Sequence, residues 1–217
     1  LRKILTAALL GIVLLSLTPL HAATPQQTFK AVINKYSKVN TLKASFIEQV
    51  CSKTNGTCTR LEGNFAYAYP NKFRLDVETP SKQLLVSDGK MFWIYIPAQN
   101  QAIQTFSGPE QELFLFFTRL KDYDQTYNVN LEPTKDSLLN ANFSVKQGKK
   151  AFMPAFTLVI NPATNKVVEL KIEKGDSEIS FQMKNVEHNP KFAQDLFTFE
   201  PPEGTVIVKD TGKGYDN

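Results

Sequence analysis

The sequence is short of the residues that carry out chemistry. Among 217 residues there are two histidines and two cysteines, and one of the histidines, His21, sits just past an N-terminal apolar stretch. That leaves His188, in the turn-like "VEHNP", so neither a Ser-His-acid triad nor a histidine-rich metal site can be assembled. There is no GxGxxG and no Walker loop, which removes the usual backbone cradles for dinucleotides and nucleoside triphosphates. Glu110 with Glu112 and Asp122 with Asp124 are paired carboxylates, but at a helix start and in a polar loop they are expected to be solvated rather than catalytic. No catalytic residue, metal ligand or cofactor is therefore assigned, and a binding protein is expected rather than an enzyme. A strong charge of one sign is lacking too. Lysine and arginine number 25 against 21 acidic residues, a balance that gives no long-range field for nucleic acid.

Long apolar runs are confined to one place. Arg2 and Lys3 precede an almost unbroken apolar stretch, Ile4 to Leu17, and Pro19-Leu20-His21-Ala22-Ala23 ends in small residues. The pattern predicts a cleavable signal peptide over residues 1–23 and hence export. An N-terminal anchor is the alternative, for which the run is short of the roughly 20 residues a span needs. Residues 24–208 are then expected to form one domain, and 209–217 a polar tail.

The two cysteines stand in "CSKTNGTC". A two-residue turn at Asn55-Gly56 would set Cys58 across from Lys53, whereas a four-residue loop over Lys53 to Gly56 sets Cys51 across from Cys58. The second register, with a disulfide, is expected in an exported chain; a redox-active pair is the other reading.

What the sequence does have is aromatic, with 16 phenylalanines. Thr24-Pro25-Gln26-Gln27 predicts a capped helix start, followed by an apolar stripe of Phe29, Val32, Ile33 and Tyr36. From Leu42 the period becomes two. Phe65, Tyr67, Tyr69, Phe73, Leu75 and Val77 share one parity, and Asn64, Ala66, Ala68, Lys72, Arg74 and Asp76 the other. "MFWIYI", Met91 to Ile96, does not alternate, so both its faces are covered or one lines an apolar cavity. A second capping box at Ser107 to Glu110 opens a helix through "ELFLFFTRL", and strands then resume as far as Phe197 to Phe199 and Thr205 to Val208. The pattern amounts to about ten or eleven strands, all antiparallel, and two amphipathic helices. So large a sheet curls, and its inner face must be filled by side chains, helices or a ligand.

"ASFIEQ" at Ala44 to Gln49, "GNFAYAYPNKFR" at Gly63 to Arg74, "LVSDGKMFWIYIP" at Leu85 to Pro97 and "FTFEPPEG" at Phe197 to Gly204 together resemble the LolA family of periplasmic outer-membrane lipoprotein carriers. The resemblance implies a mainly β fold, an unclosed antiparallel β-barrel with an α-helical lid. It implies a monomeric periplasmic chaperone that takes lipid-modified lipoproteins from an inner-membrane lipoprotein-releasing ABC transporter and delivers them to an outer-membrane lipoprotein receptor. A carrier or sensor of another apolar lipid or glycolipid is the alternative. The acyl-chain cavity is expected from Phe46, Phe65, Tyr67, Phe73, Leu75, Trp93 and Tyr95, with Phe181 and Met183 opposite, and Tyr36, Phe114 and Phe117 are expected beneath the lid. Many family members carry an arginine just before the Pro-Asn pair, where it helps hold the lid shut. Tyr69 stands there in this chain, and Arg74, on the opposite parity, is expected to point outward.

Overall fold

Thr24 caps the first helix as its spacing predicts. Its hydroxyl accepts from the Gln27 N–H while the Gln27 side chain accepts from the Thr24 N–H, and Pro25 supplies the first helical φ. The helix, α1 (Pro25–Tyr36), buries Phe29, Val32 and Tyr36 on one stripe. This computed structural model describes residues 23–105, 120–151 and 153–209. The expected second helix, with Glu110, Glu112, Phe114 and Phe117, lies outside the described residues.

Among the described residues, twelve strands follow α1: β1 (Thr41–Ser52), β2 (Cys58–Ala68), β3 (Lys72–Thr79), β4 (Gln83–Ser87), β5 (Phe92–Ile96), β6 (Gln101–Thr105), β7 (Tyr127–Pro133), β8 (Leu139–Val145), β9 (Phe156–Asn161), β10 (Lys166–Lys174), β11 (Ser177–His188) and β12 (Val206–Lys209). They form one sheet in the order β12-β6-β5-β4-β3-β2-β1-β11-β10-β9-β8-β7. β12 and β7 end the order without meeting, so the barrel is unclosed, and strands β1 and β11 join two meanders at a central seam.

Two expectations need correction. β12 runs parallel to β6, pairing Val206 with Gln101 and Lys209 with Gln104, because residues 189–205 carry the chain back to the far edge of the sheet instead of turning in a hairpin. Phe197 to Phe199 is not a strand; it belongs to that return segment.

Curvature is built in at Gly63. The β2–β3 register shifts between Glu62 and Gly63, and a Cβ at Gly63 would stand 2.0 Å from the Asp76 carbonyl oxygen. Only glycine permits that backbone approach. The Asp88-Gly89 turn behaves as its composition requires. The Asp88 carboxylate accepts from the Lys90 and Met91 N–H groups at 2.8 and 2.9 Å, and Gly89 takes φ +93°.

Burial separates the two faces of the sheet. Leu42, Ala44, Phe46, Phe65, Tyr67, Phe73, Leu75, Val77, Leu85 and Phe92 continue into Phe143, Phe156, Leu158, Leu170, Phe181 and Met183 as one core on the inner face. α1 lies over the β7–β11 half of this face, with the Phe29 ring against Tyr123 and Phe143.

Candidate apolar binding floor

Directly paired residues of neighbouring strands share a face, so the register locates each side chain. Phe46, Gly63 and Val77 lie in one row; Ala44, Phe65, Leu75, Leu85 and Ile94 form the next, and Leu42, Tyr67, Phe73, Ser87 and Phe92 the one beyond. The Phe46 ring stacks on Phe181 at 5.2 Å with planes 10° apart, and Phe65 meets Phe181 edge-on at 5.9 Å. Phe73 tilts against Phe92 at 5.3 Å. Seven of the nine cavity residues expected from sequence are thereby brought to one inner surface: Phe46, Phe65, Tyr67, Phe73, Leu75, Phe181 and Met183.

Trp93 and Tyr95 are placed on the other face. Trp93 pairs with Val86, which pairs with Arg74; Tyr95 pairs with Leu84, which pairs with Asp76. Both rings pack on Phe199 of the return segment, at 5.8 and 5.3 Å. "MFWIYI" is thus apolar throughout because Phe92 and Ile94 face the core while Phe199 covers the outside. The four residues between Ser87 and Phe92 fix this parity, and Phe92 is the floor residue that the sequence pattern missed.

Tyr36, the last residue of α1, is buried. Its hydroxyl oxygen accepts from the Val167 N–H at 3.2 Å, and burial raises its pKa to about 12. Its ring meets His188 edge-on at 5.3 Å. Tyr67 is also pushed up by burial, and its hydroxyl reaches the Pro70 carbonyl at 3.4 Å. Tyr69 lies just past the end of β2 with 56% of its surface exposed, and its N–H donates to the Asn40 carbonyl. Arg74 points outward and pairs bidentately with Asp76 at 2.8 and 2.9 Å.

Cys51 and Cys58 face each other across β1 and β2 and are joined by a disulfide. Ser52 N–H donates to the Thr57 carbonyl, closing the four-residue loop. Among the described residues there is no group of three or more metal-ligating side chains.

Residues 37–200 match the profile of a family described as "Outer membrane lipoprotein carrier protein LolA". The chain belongs to the LolA family. A Legionella pneumophila (strain Corby) relative named outer-membrane lipoprotein carrier protein is 27% identical over 198 residues, covering 87% of this chain and 93% of its own. A Glaesserella parasuis relative of the same name is 27% identical over 221 residues, covering 98% and 99%. Among solved structures, an uncharacterized conserved protein from Thermus thermophilus superposes with a TM-score of 0.51 at 12% identity, over 85% of this chain and 98% of the other. That likeness concerns the fold alone. The LolA match spans every strand from β1 to β11, and so includes the whole inner floor described above.

Proposed function

We propose that this LolA-family chain is a periplasmic carrier of lipid-modified proteins, a chaperone and not an enzyme. The observation that carries the reading is the continuous aromatic surface of Phe46, Phe65, Phe73 and Phe181 on the inner face of a sheet that does not close. Exposing an acyl chain of about 15 methylenes costs roughly 12 kcal/mol, at about 0.8 kcal/mol per methylene. A carrier must offset most of that while still letting go, and stacked rings against a movable apolar cover meet both demands. α1 contributes to the cover through Phe29 and Tyr36, and acyl chains replace cover contacts as cargo enters.

Direction comes from partners. An inner-membrane ABC transporter loads the cargo, and an outer-membrane receptor with a more favourable cavity removes it, since a shift between states needs differential affinity. Tyr69 takes the place of the family's lid-holding arginine. With an exposed phenol instead of a guanidinium, the cover loses a charge-assisted hydrogen bond and opens at lower cost.

Native mass spectrometry of the protein with a triacylated lipopeptide tests the proposal. A stoichiometric, detergent-free complex is expected. Failure of a demonstrably folded protein to bind any acylated ligand would return the aromatic rows to the role of an ordinary core.

A further inference from the structure

The return segment that covers Trp93 and Tyr95 also roofs a second cleft, on the outer face and separated from the aromatic floor by the sheet itself. Its base is Ala66 on β2. The two residues directly across from Ala66 are Lys43 on β1 and Arg74 on β3, so a small apolar side chain lies in a trough between two cations. The segment spans this trough like a strap. It is tied at one end by the Thr41 hydroxyl, which donates to the Pro190 carbonyl at 2.7 Å, and at the other by Arg74 Nη1, which reaches the Leu196 carbonyl at 3.4 Å. Between these ties Phe192 and Leu196 form the roof, and a cavity of about 280 Å³ remains beneath them. That volume approaches the ~300–1,000 Å³ of small-molecule sites.

The charges select the occupant. Arg74 Nε and Nη2 are held by Asp76, whereas Nη1 has only the long contact to Leu196, which an incoming anion can replace. Lys43 and Lys191, both at the mouth, have no ion-pair partner among the described residues. Glu187, directly across from Lys43, keeps the mouth from being purely cationic and disfavours a ligand of high negative charge. We infer that this outer cleft binds a single short alkyl or acyl chain ending in a carboxylate or phosphate. The head lies between Lys43 and Arg74, and the chain runs over Ala66 beneath Phe192 and Leu196. This site is independent of the proposed lipoprotein floor, from which the thickness of the sheet divides it.

An amide NMR titration with n-octyl phosphate below its micellar concentration tests the inference, with octanoate and neutral octanol as companions. Shifts are expected at the amides of Lys43, Ala66, Arg74 and Ala193. Loss of one charge-assisted contact in Lys43→Gln should weaken binding roughly tenfold, and Ala66→Leu, which fills the trough, should abolish the shifts. Octanoate binding as tightly as octyl phosphate would assign the site to fatty acids, and octyl phosphate alone to phospholipid-type heads; either supports the inference. Octanol binding equally well, shifts confined to inner-face residues such as Phe46 and Phe181, or unchanged affinity in Lys43→Gln would overturn it. The octanol and Lys43→Gln comparisons decide the matter even where Ala66→Leu fails to fold.

Discussion

Phe46 on β1 and Phe181 on β11 lie face to face at 5.2 Å, stacked across the β1–β11 pairing that joins the two halves of the sheet. The strands they occupy are far apart in sequence, so this contact holds the half-barrel at its seam and forms the centre of the inner floor. Truncating Phe181 to alanine should cost about 3–5 kcal/mol in urea unfolding. Trp93→Ala, which removes a half-buried ring from the outer face, should cost less and leave lipopeptide binding unchanged, whereas Phe181→Ala should alter it. Equal effects of the two variants on binding would contradict the division of faces.

Gly63 makes a sharper prediction. A methyl group there meets the Asp76 carbonyl, which is backbone and cannot swing aside. Gly63→Ala should therefore destabilise by about 1–3 kcal/mol or more, the usual cost of overpacking. Gly56, whose added Cβ would meet nothing, is the matched control for lost glycine, although its φ of +70° carries a strain of its own. Thermal melts of both variants would show whether close approach at Gly63 exceeds local strain at Gly56.

Much of this architecture was legible because its causes are local. The Thr24 capping box and the parity of Phe65, Tyr67, Phe73 and Leu75 follow from residue type and spacing, while for the cysteines spacing allowed two registers and the expectation of a disulfide in an exported chain favoured the four-residue loop. Trp93 and Tyr95 were misplaced because an apolar strand without alternation hides its own parity. Only the pairing of Ser87 with Phe92 reveals which face is which. The parallel pairing of β12 was equally hidden. Its strand signal is ordinary, and its direction depends on a path of residues 189–205 across the outer face that involves no short-range pattern. His188, an isolated polar residue in the sequence, acquires its environment from Tyr36 and Lys35 on α1, Lys166 on β10 and its strand partner Leu42 on β1, none of them near it in sequence.

His188 Nε2 is buried with no hydrogen-bond partner among the described residues, and the ring lies edge-on to Tyr36. Burial, then Lys35 on α1 and Lys166 on β10, hold its pKa below the ordinary 6.5. Glu187, its chain neighbour, lies directly across from Lys43 in the outer-face row. In the unfolded chain the imidazole takes up its proton first as pH falls, so stability is retained above about pH 6.5 and lost as pH drops through the lower folded value. The melting temperature should decline between about pH 7 and pH 5, with the seat of α1 loosening first. His188→Phe should flatten that decline, and an unchanged slope in this variant would remove His188 as its source.

The disulfide closes a short loop at the far end of the seam. Ser52 and Thr54 hydroxyls both donate to the Asp176 carboxylate at 2.6 Å, and the Lys53 N–H donates to the Asp176 carbonyl at 2.8 Å, so the hairpin tip is also tied to the β10–β11 turn. These bonds, Ser52's first and Thr54's second, hold the Asp176 carboxyl below its usual range. They persist when the cross-link is removed, and the penalty is then chiefly the entropy of a short open loop. The Cys51→Ser, Cys58→Ser double variant should lose about 2.5 kcal/mol, from the loop-closure relation for a ring this small. At roughly 2–4 °C per kcal/mol for a domain of this size, the melting temperature should fall by about 5–10 °C. Reducing the unsubstituted protein should reproduce that shift. A much larger loss would mean that the disulfide supports the seam between β1 and β11 as well as the hairpin, and adding Asp176→Ala to the double variant would then show a penalty beyond the sum of the two.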